Sequence, residues 1–174
     1  MMHLRSTSVE VTREIAATLA GFARSGDVIL LAGEMGAGKT AFAQGFGAAL
    51  GVVEPMTSPT FNLVHSHPAG RLTLHHADVY RLSTNYEVAD LALAELAEAD
   101  GVLLVEWGDV VAAALGDHLL VALGPVADAA DDAADDAADV DADVDQRDVH
   151  VRPVGRAWAT RWERIALELS RFAC

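Results

Sequence analysis

The chain has 174 residues, 52% of them hydrophobic, with a formal net charge of −14 and one cysteine. That length and apolar fraction predict one folded domain, residues 1–174, with a substantial core, and the lack of any 18-residue uncharged apolar run excludes a transmembrane helix and predicts no membrane partner. The negative charge argues against strong nucleic-acid binding by the chain alone, since phosphate contacts need Lys and Arg. Cys174 has no partner for an internal disulfide and the N-terminus carries no apolar signal core, which together agree with a cytoplasmic protein.

In chain order, residues 3–11 read as a short strand with Val9 and Val11 on one face. Thr12 then reads as an N-cap, and Ile15, Leu19 and Phe22 recur at helical spacing up to Ala23. Ser25-Gly26-Asp27 turns the chain into Val28-Ile29-Leu30-Leu31-Ala32, an apolar run of strand length. Next stands Gly33-Glu34-Met35-Gly36-Ala37-Gly38-Lys39-Thr40, the phosphate-loop pattern G-x-x-x-x-G-K-[ST]. A helix from Ala41 to Leu50 follows, closed by Gly51. Strand, loop and helix are the context this motif requires. Its glycines let successive N–H groups turn toward phosphate oxygens, and the helix N-terminus adds its own free N–H groups and dipole. In such a loop Lys39 reaches the β- and γ-phosphates and the Thr40 hydroxyl holds Mg²⁺.

Thr57 to Phe61 reads as a polar loop entering the apolar run Phe61 to Val64, and Pro68 to Arg71 as a turn between strands. Leu72 to His76 predicts a strand that delivers Asp78 to its C-terminal end. Tyr86 to Ala97 carries a helical pattern with Val88, Leu91 and Leu96. Val102 to Val105 is continuously apolar, as in a parallel strand buried on both faces, and ends on Glu106-Trp107. Asp109 to Leu115 reads as a short helix and His118 to Leu123 as a strand. Residues 127–145 are only Ala, Asp and Val, with nine Asp; without them the net charge is −5. This acidic insert reads as an exposed disordered loop, with shielding of Arg152, Arg156, Arg161, Arg164 and Arg171 as its electrostatic alternative. Arg147 to Val151 predicts a strand. A last helix aligns Trp158, Trp162, Ile165, Leu169 and Phe172 on one face, which reads as core packing.

A phosphate loop implies a nucleotide without saying what is done with it. Mg²⁺ needs carboxylate help near the γ-phosphate, and open parallel sheets bind ligands at strand C-terminal ends. Glu106 and Asp78 both stand at such ends, where a solvated strand-end acid is the plainer alternative. Thr60 has the hydroxyl of a γ-phosphate-sensing switch loop, or of a turn cap after Pro59. His75 and His76, adjacent on a strand, face opposite ways and do not make a metal pair.

Four blocks of residues carry a resemblance to a known family: the phosphate loop, Ser58-Pro59-Thr60-Phe61-Asn62-Leu63-Val64, His76-Ala77-Asp78-Val79-Tyr80-Arg81-Leu82, and Val105-Glu106-Trp107. In order and spacing the chain, from about Thr12 to Trp162, resembles the TsaE family, bacterial ATPases of tRNA threonylcarbamoyladenosine synthesis. The resemblance implies an α/β fold of the three-layer P-loop NTPase type with a mixed, partly parallel sheet. It implies Mg²⁺-dependent ATP hydrolysis, with Thr40 and Glu106 as metal ligands, helped by Asp78. Lys39, Thr60, Asp78 and Glu106 become the expected catalytic residues. Gly33, Gly36, Ala37, Gly38, Lys39, Thr40, Ala41, Trp107 and Arg147 become the expected nucleotide contacts. It further implies partners of the TsaB and TsaD types, which transfer the threonylcarbamoyl group to adenosine of tRNA while the ATPase resets the complex and meets tRNA only indirectly. The sequence departs from the family pattern at Ala41, at Gly108-Asp109 and in the acidic insert. A small-molecule kinase is the runner-up; its lid would have to come from Pro125 to Gln146, whose acids repel phosphate. A non-enzymatic nucleotide-binding module comes third.

Overall fold

The computed structural model describes residues 1–59, 62–80, 92–98, 101–126 and 145–174. Its frame is a seven-stranded mixed sheet. The strands are β1 (Met2–Ser6), β2 (Val28–Ala32), β3 (Val64–Ala69), β4 (Leu72–Asp78), β5 (Gly101–Glu106), β6 (His118–Gly124) and β7 (Arg147–Val154), in the order β1-β7-β6-β2-β5-β4-β3. The four central strands, β6, β2, β5 and β4, run parallel. Antiparallel pairings flank them: β7 on β6 and β1 on β7 on one side, β3 on β4 on the other. The apolar runs of β2 and β5 lie at the centre and are buried on both faces, as a parallel sheet requires.

Helices cover both faces. On one lie α1 (Val9–Ala20) and α2 (Lys39–Leu50), which pack Ile15, Leu19, Phe42 and Phe46 against Ile29, Leu31, Leu74 and Leu104. On the other lie α3 (Leu93–Glu98) and a 3-10 helix, Gly108–Val111, against Val28, Leu30, Leu103 and Val105. Successive residues of β2 thus feed two separate apolar layers, following the two-residue period of a strand. α1 and α2 approach closely because residue 45 is glycine: a Cβ there would stand 2.5 Å from the Arg13 Cα.

Six local expectations are corrected. The first strand ends at Ser6, and α1 starts at Val9 with Ser8 as N-cap, its hydroxyl accepting from the Val11 N–H. Thr12 is instead buried inside the helix, bonded to the Ser6 hydroxyl at 2.7 Å. α1 also stops at Ala20, short of the expected Ala23. Pro68 and Ala69 belong to β3, not to the turn; β3 is the sheet edge, where a residue lacking an N–H is tolerated. Asp109 to Leu115 forms only the 3-10 helix Gly108–Val111 followed by turns. The last helix is broken in two, α4 (Arg156–Ala159) and α5 (Trp162–Leu169), before a 3-10 turn over Ser170–Phe172. The break lies between Trp158 and Trp162, where Arg161 turns inward to an ion pair with Asp27 and stacks 4.0 Å from the Trp158 ring. Arg161 is therefore buried and does not belong to a surface cluster for the acidic insert.

Residues 81–91, with most of the Tyr86–Ala97 helix expectation, and residues 127–144 of the insert lie outside the described residues. The insert joins β6 to β7, which pair antiparallel from His118↔Val154 to Gly124↔Asp148. No helix among the described residues is long and apolar enough to cross a membrane.

Candidate functional site

The phosphate-loop sequence sits where β2 leaves the sheet and α2 begins. Gly33 takes φ 137°, and a Cβ on it would stand 2.2 Å from the Leu123 carbonyl oxygen of β6. No other residue lets the chain pass there. Gly38 caps α2 with φ 100° and makes no side-chain cap bond. The first N–H groups of α2 therefore have no capping side chain from the N-cap residue, the arrangement that receives an anion.

Lys39 is buried and curls back over the loop. Its ammonium donates to the carbonyls of Gly33 at 2.7 Å and Glu34 at 2.8 Å. It also stands 3.7 Å from the centre of the Trp107 ring, a cation–π contact. Burial pushes the Lys39 ammonium below its ordinary value, with Glu106, Asp78 and Asp109 pulling the other way. Trp107 follows β5 directly and holds a left-handed backbone, φ 62°. Non-glycine residues in that conformation concentrate at functional sites. Its ring meets that of Tyr80 at 4.8 Å.

Two carboxylates complete the floor. The β4–β5 ladder pairs Asp78 with Glu106, so both leave the C-terminal ends of adjacent parallel strands. Glu106, nearly fully buried, accepts from the Thr40 hydroxyl, 3.1 Å from each carboxylate oxygen. On its far side Oε1 lies 2.9 Å from His76 Nε2. Asp78 accepts from the Ser58 hydroxyl and, at 3.0 Å, from the Tyr80 N–H. A cavity of about 440 Å³ opens over these groups; Gly36, Gly38, Lys39, Thr40, Ala41, Asp78, Glu106 and Trp107 all line it. Gly33 and Ala37 shape the loop itself. Arg147, at the start of β7, reaches the Gly36 carbonyl at 3.4 Å. Thr60 lies outside the described residues.

Every described residue expected at the site thus stands at or beside one cavity. Ser58, His76 and Tyr80 were absent from the expected set. A period-two reading of β4 puts His76 on the same face as Asp78, which is the signal that could have found it. His75 faces the other way and meets the Ser66 hydroxyl at 2.8 Å, so the two adjacent histidines do not share an ion.

The sequence model of the family described as "Threonylcarbamoyl adenosine biosynthesis protein TsaE" matches residues 6–129. The chain belongs to the TsaE family. Its relatives include the tRNA threonylcarbamoyladenosine biosynthesis protein TsaE of Bacillus subtilis, 43% identical over 62% of this chain and 66% of that protein. The match to the Streptomyces coelicolor TsaE is 39% identical and spans 85% of this chain and 94% of the relative. Among solved structures, B. subtilis YdiB superposes with a TM-score of 0.69 at 32% identity, covering 98% of this chain and 94% of that one. The phosphate loop, Asp78 and Glu106 all fall inside the residues matched by the family model, and Arg147, β7, α4 and α5 lie beyond them.

Proposed function

We propose that the chain is a Mg²⁺-dependent ATPase of the cytoplasm that serves threonylcarbamoyl modification of adenosine in tRNA. The supporting observation is the convergence of Lys39, Thr40, Asp78 and Glu106 on one cavity at the head of α2. The donor set suits Mg²⁺: hydroxyl and carboxylate oxygens from Thr40, Glu106 and Asp78, hard ligands for a hard ion. Among the described residues no group of three or more His, Cys, Asp or Glu side chains would cage a metal alone. That agrees with an ion held jointly by a few protein oxygens, water and substrate phosphates.

In this reading the loop N–H groups and the N-terminus of α2 take the phosphates of ATP. Lys39 exchanges its carbonyl partners at Gly33 and Glu34 for β- and γ-phosphate oxygens. The Thr40 hydroxyl donates its single proton to Glu106 and keeps its lone pairs for the cation. Thr40, Glu106 and Asp78 would hold Mg²⁺, which would supply positive charge against that developing on the phosphates. Ser58 and the Tyr80 N–H fix the plane of Asp78, whose carboxylate would orient the attacking water, a role in which the Thr60 hydroxyl would assist. Water adds to the γ-phosphorus as the bond to the bridging oxygen breaks, giving ADP and phosphate. In this reading hydrolysis acts on a partner complex of the TsaB and TsaD types, and on tRNA through it. The whole chain, acidic insert included, works as one ATPase domain in this reading.

The test is phosphate release from ATP, with and without Mg²⁺ and with the two partners added. Expected is Mg²⁺-dependent release that falls at least about tenfold in Glu106→Gln and Asp78→Asn, variants that keep the fold but lose the charge that holds the ion. Normal turnover in both variants would remove the two acids from the mechanism. A wild-type chain that releases no phosphate in any combination would overturn the reading.

A further inference from the structure

The hydrogen bond between His76 and Glu106 is used by nothing in the mechanism above. His76 is completely buried, and Glu106 nearly so. Its Nδ1 has no partner among the described residues. A proton on Nδ1 would be an N–H buried without an acceptor, which carries the full desolvation cost. The network therefore assigns the proton to Nε2, which donates to Glu106 Oε1 at 2.9 Å. The Thr40 hydroxyl lies 3.1 Å from both carboxylate oxygens and has one proton to give. Oε1 thus has a donor of its own, and Oε2 shares only the Thr40 proton.

Glutamate has one more torsion than aspartate, and its terminal torsion is soft. At a strand end that must hold a cation, the longer acid needs a second restraint. The ladder supplies one. His76 pairs with Leu104, two residues before Glu106 on the same face of the sheet, so the imidazole's position is set by the backbone register of β4 on β5. Ligating carboxylates are commonly held by partners of this kind, and losing such a partner costs about 10–100-fold in metal affinity or activity.

We propose that His76 is a positioning residue: by donating to Oε1 it fixes the plane of the Glu106 carboxylate and leaves Oε2 as the oxygen that meets the divalent cation. The inference rests on the Mg²⁺-dependent ATPase reading of the same site. Its test uses Mn²⁺ as the probe, titrated against the full chain with a non-hydrolysable ATP analogue and followed by the electron paramagnetic resonance signal of free Mn²⁺. Expected is a roughly 10–100-fold loss of Mn²⁺ affinity in His76→Leu, with the metal-free affinity for the analogue unchanged. His76→Gln, which keeps a donor near the Nε2 position, retains most of the affinity, and His76→Asn, which is too short, does not. In a Glu106→Gln background His76→Leu has no further effect, because its influence runs through Glu106. A folded His76→Leu chain that binds Mn²⁺ like wild type overturns the inference, as does an equal loss in both backgrounds. Should His76→Leu fail to fold, equal Mn²⁺ affinities for His76→Gln and His76→Asn overturn it instead. Failure of the wild-type chain to bind Mn²⁺ with the analogue at all would bring down the ATPase reading and this inference together; a failure confined to the His76 variants would bring down this inference alone.

Discussion

The Lys39 ammonium rests 3.7 Å from the centre of the Trp107 indole ring, with its protons directed at the Gly33 and Glu34 carbonyls. The lysine that a nucleotide would claim is held by its own loop and by the residue that closes β5. Phosphates that drew the cation away from the ring would make the indole a sensor of occupancy. Adding ATP should change tryptophan emission, and Trp107→Phe should remove most of that change although Trp158 and Trp162 remain. Lys39→Ala should weaken ATP binding and abolish turnover, because it deletes a charge-assisted contact in a desolvated anion site. An emission change that survives Trp107→Phe would place the sensing ring elsewhere.

Asp27 and Arg161 form an ion pair inside the protein, both almost inaccessible to water. Asp27 also accepts from the Arg24 N–H at 2.7 Å. Burial holds the Asp27 carboxyl above its ordinary value, with the Arg161 hydrogen bond opposing. Removing one member of a buried pair leaves the other charge unpaired, at about 3–5 kcal/mol. Asp27→Ala and Arg161→Ala should each lower chemical stability by that order, and the double variant should cost clearly less than their sum. Denaturant melts of the three variants measure this; additive losses would show that the two residues act separately.

His75 and His67 are buried, and each has an Nε2 without a partner among the described residues. Burial lowers both below the ordinary imidazole value of 6.5. For His67 the neighbouring His76 and His65 act in the same direction, with Glu54 opposing. In the unfolded chain both take up a proton near the ordinary value; in the folded chain they resist until lower pH. Below about 6.5 the unfolded state therefore binds more protons, and stability falls with falling pH until the folded values are passed. Urea midpoints at about pH 7.5 and 5.5 should differ in that sense, and His67→Asn with His75→Asn should flatten the difference. A midpoint that rises on acidification would reverse the assignment.

The acidic insert leaves β6 and re-enters β7 at neighbouring points, since Gly124 pairs with Asp148. Loop closure entropy grows only logarithmically with length, so the hairpin tolerates a long or a short connection. Replacing residues 127–144 by a short Gly-Ser turn, with Arg147 retained beside Gly36, should leave the melting temperature and basal phosphate release unchanged. Loss of basal hydrolysis in a folded deletion would make the insert part of the active site.

Much of this protein is written locally. The phosphate loop occupies eight consecutive residues, so sequence alone places it between a strand and a helix, although the need for glycine at position 33 comes also from its close approach to Leu123 of β6. The buried strands β2 and β5 are equally legible, because a strand covered on both faces has no polar position to interrupt it. Asp78 and Glu106 are visible as acids at strand ends. What the tertiary structure decides are the matters that depend on partners far along the chain. The helix expected to carry both Trp158 and Trp162 breaks because Arg161 meets Asp27, 134 residues away; intrinsic helix propensity is weak beside a buried ion pair. α1 is capped by Ser8 rather than Thr12, whose hydroxyl is taken by Ser6 of β1. That Asp78 and Glu106 face one cavity, with His76 beside Glu106, follows from the register of β4 on β5, while Ser58 reaches Asp78 from the loop before β3. Pairing register is a property of two strands together, and neither strand's residues specify it alone.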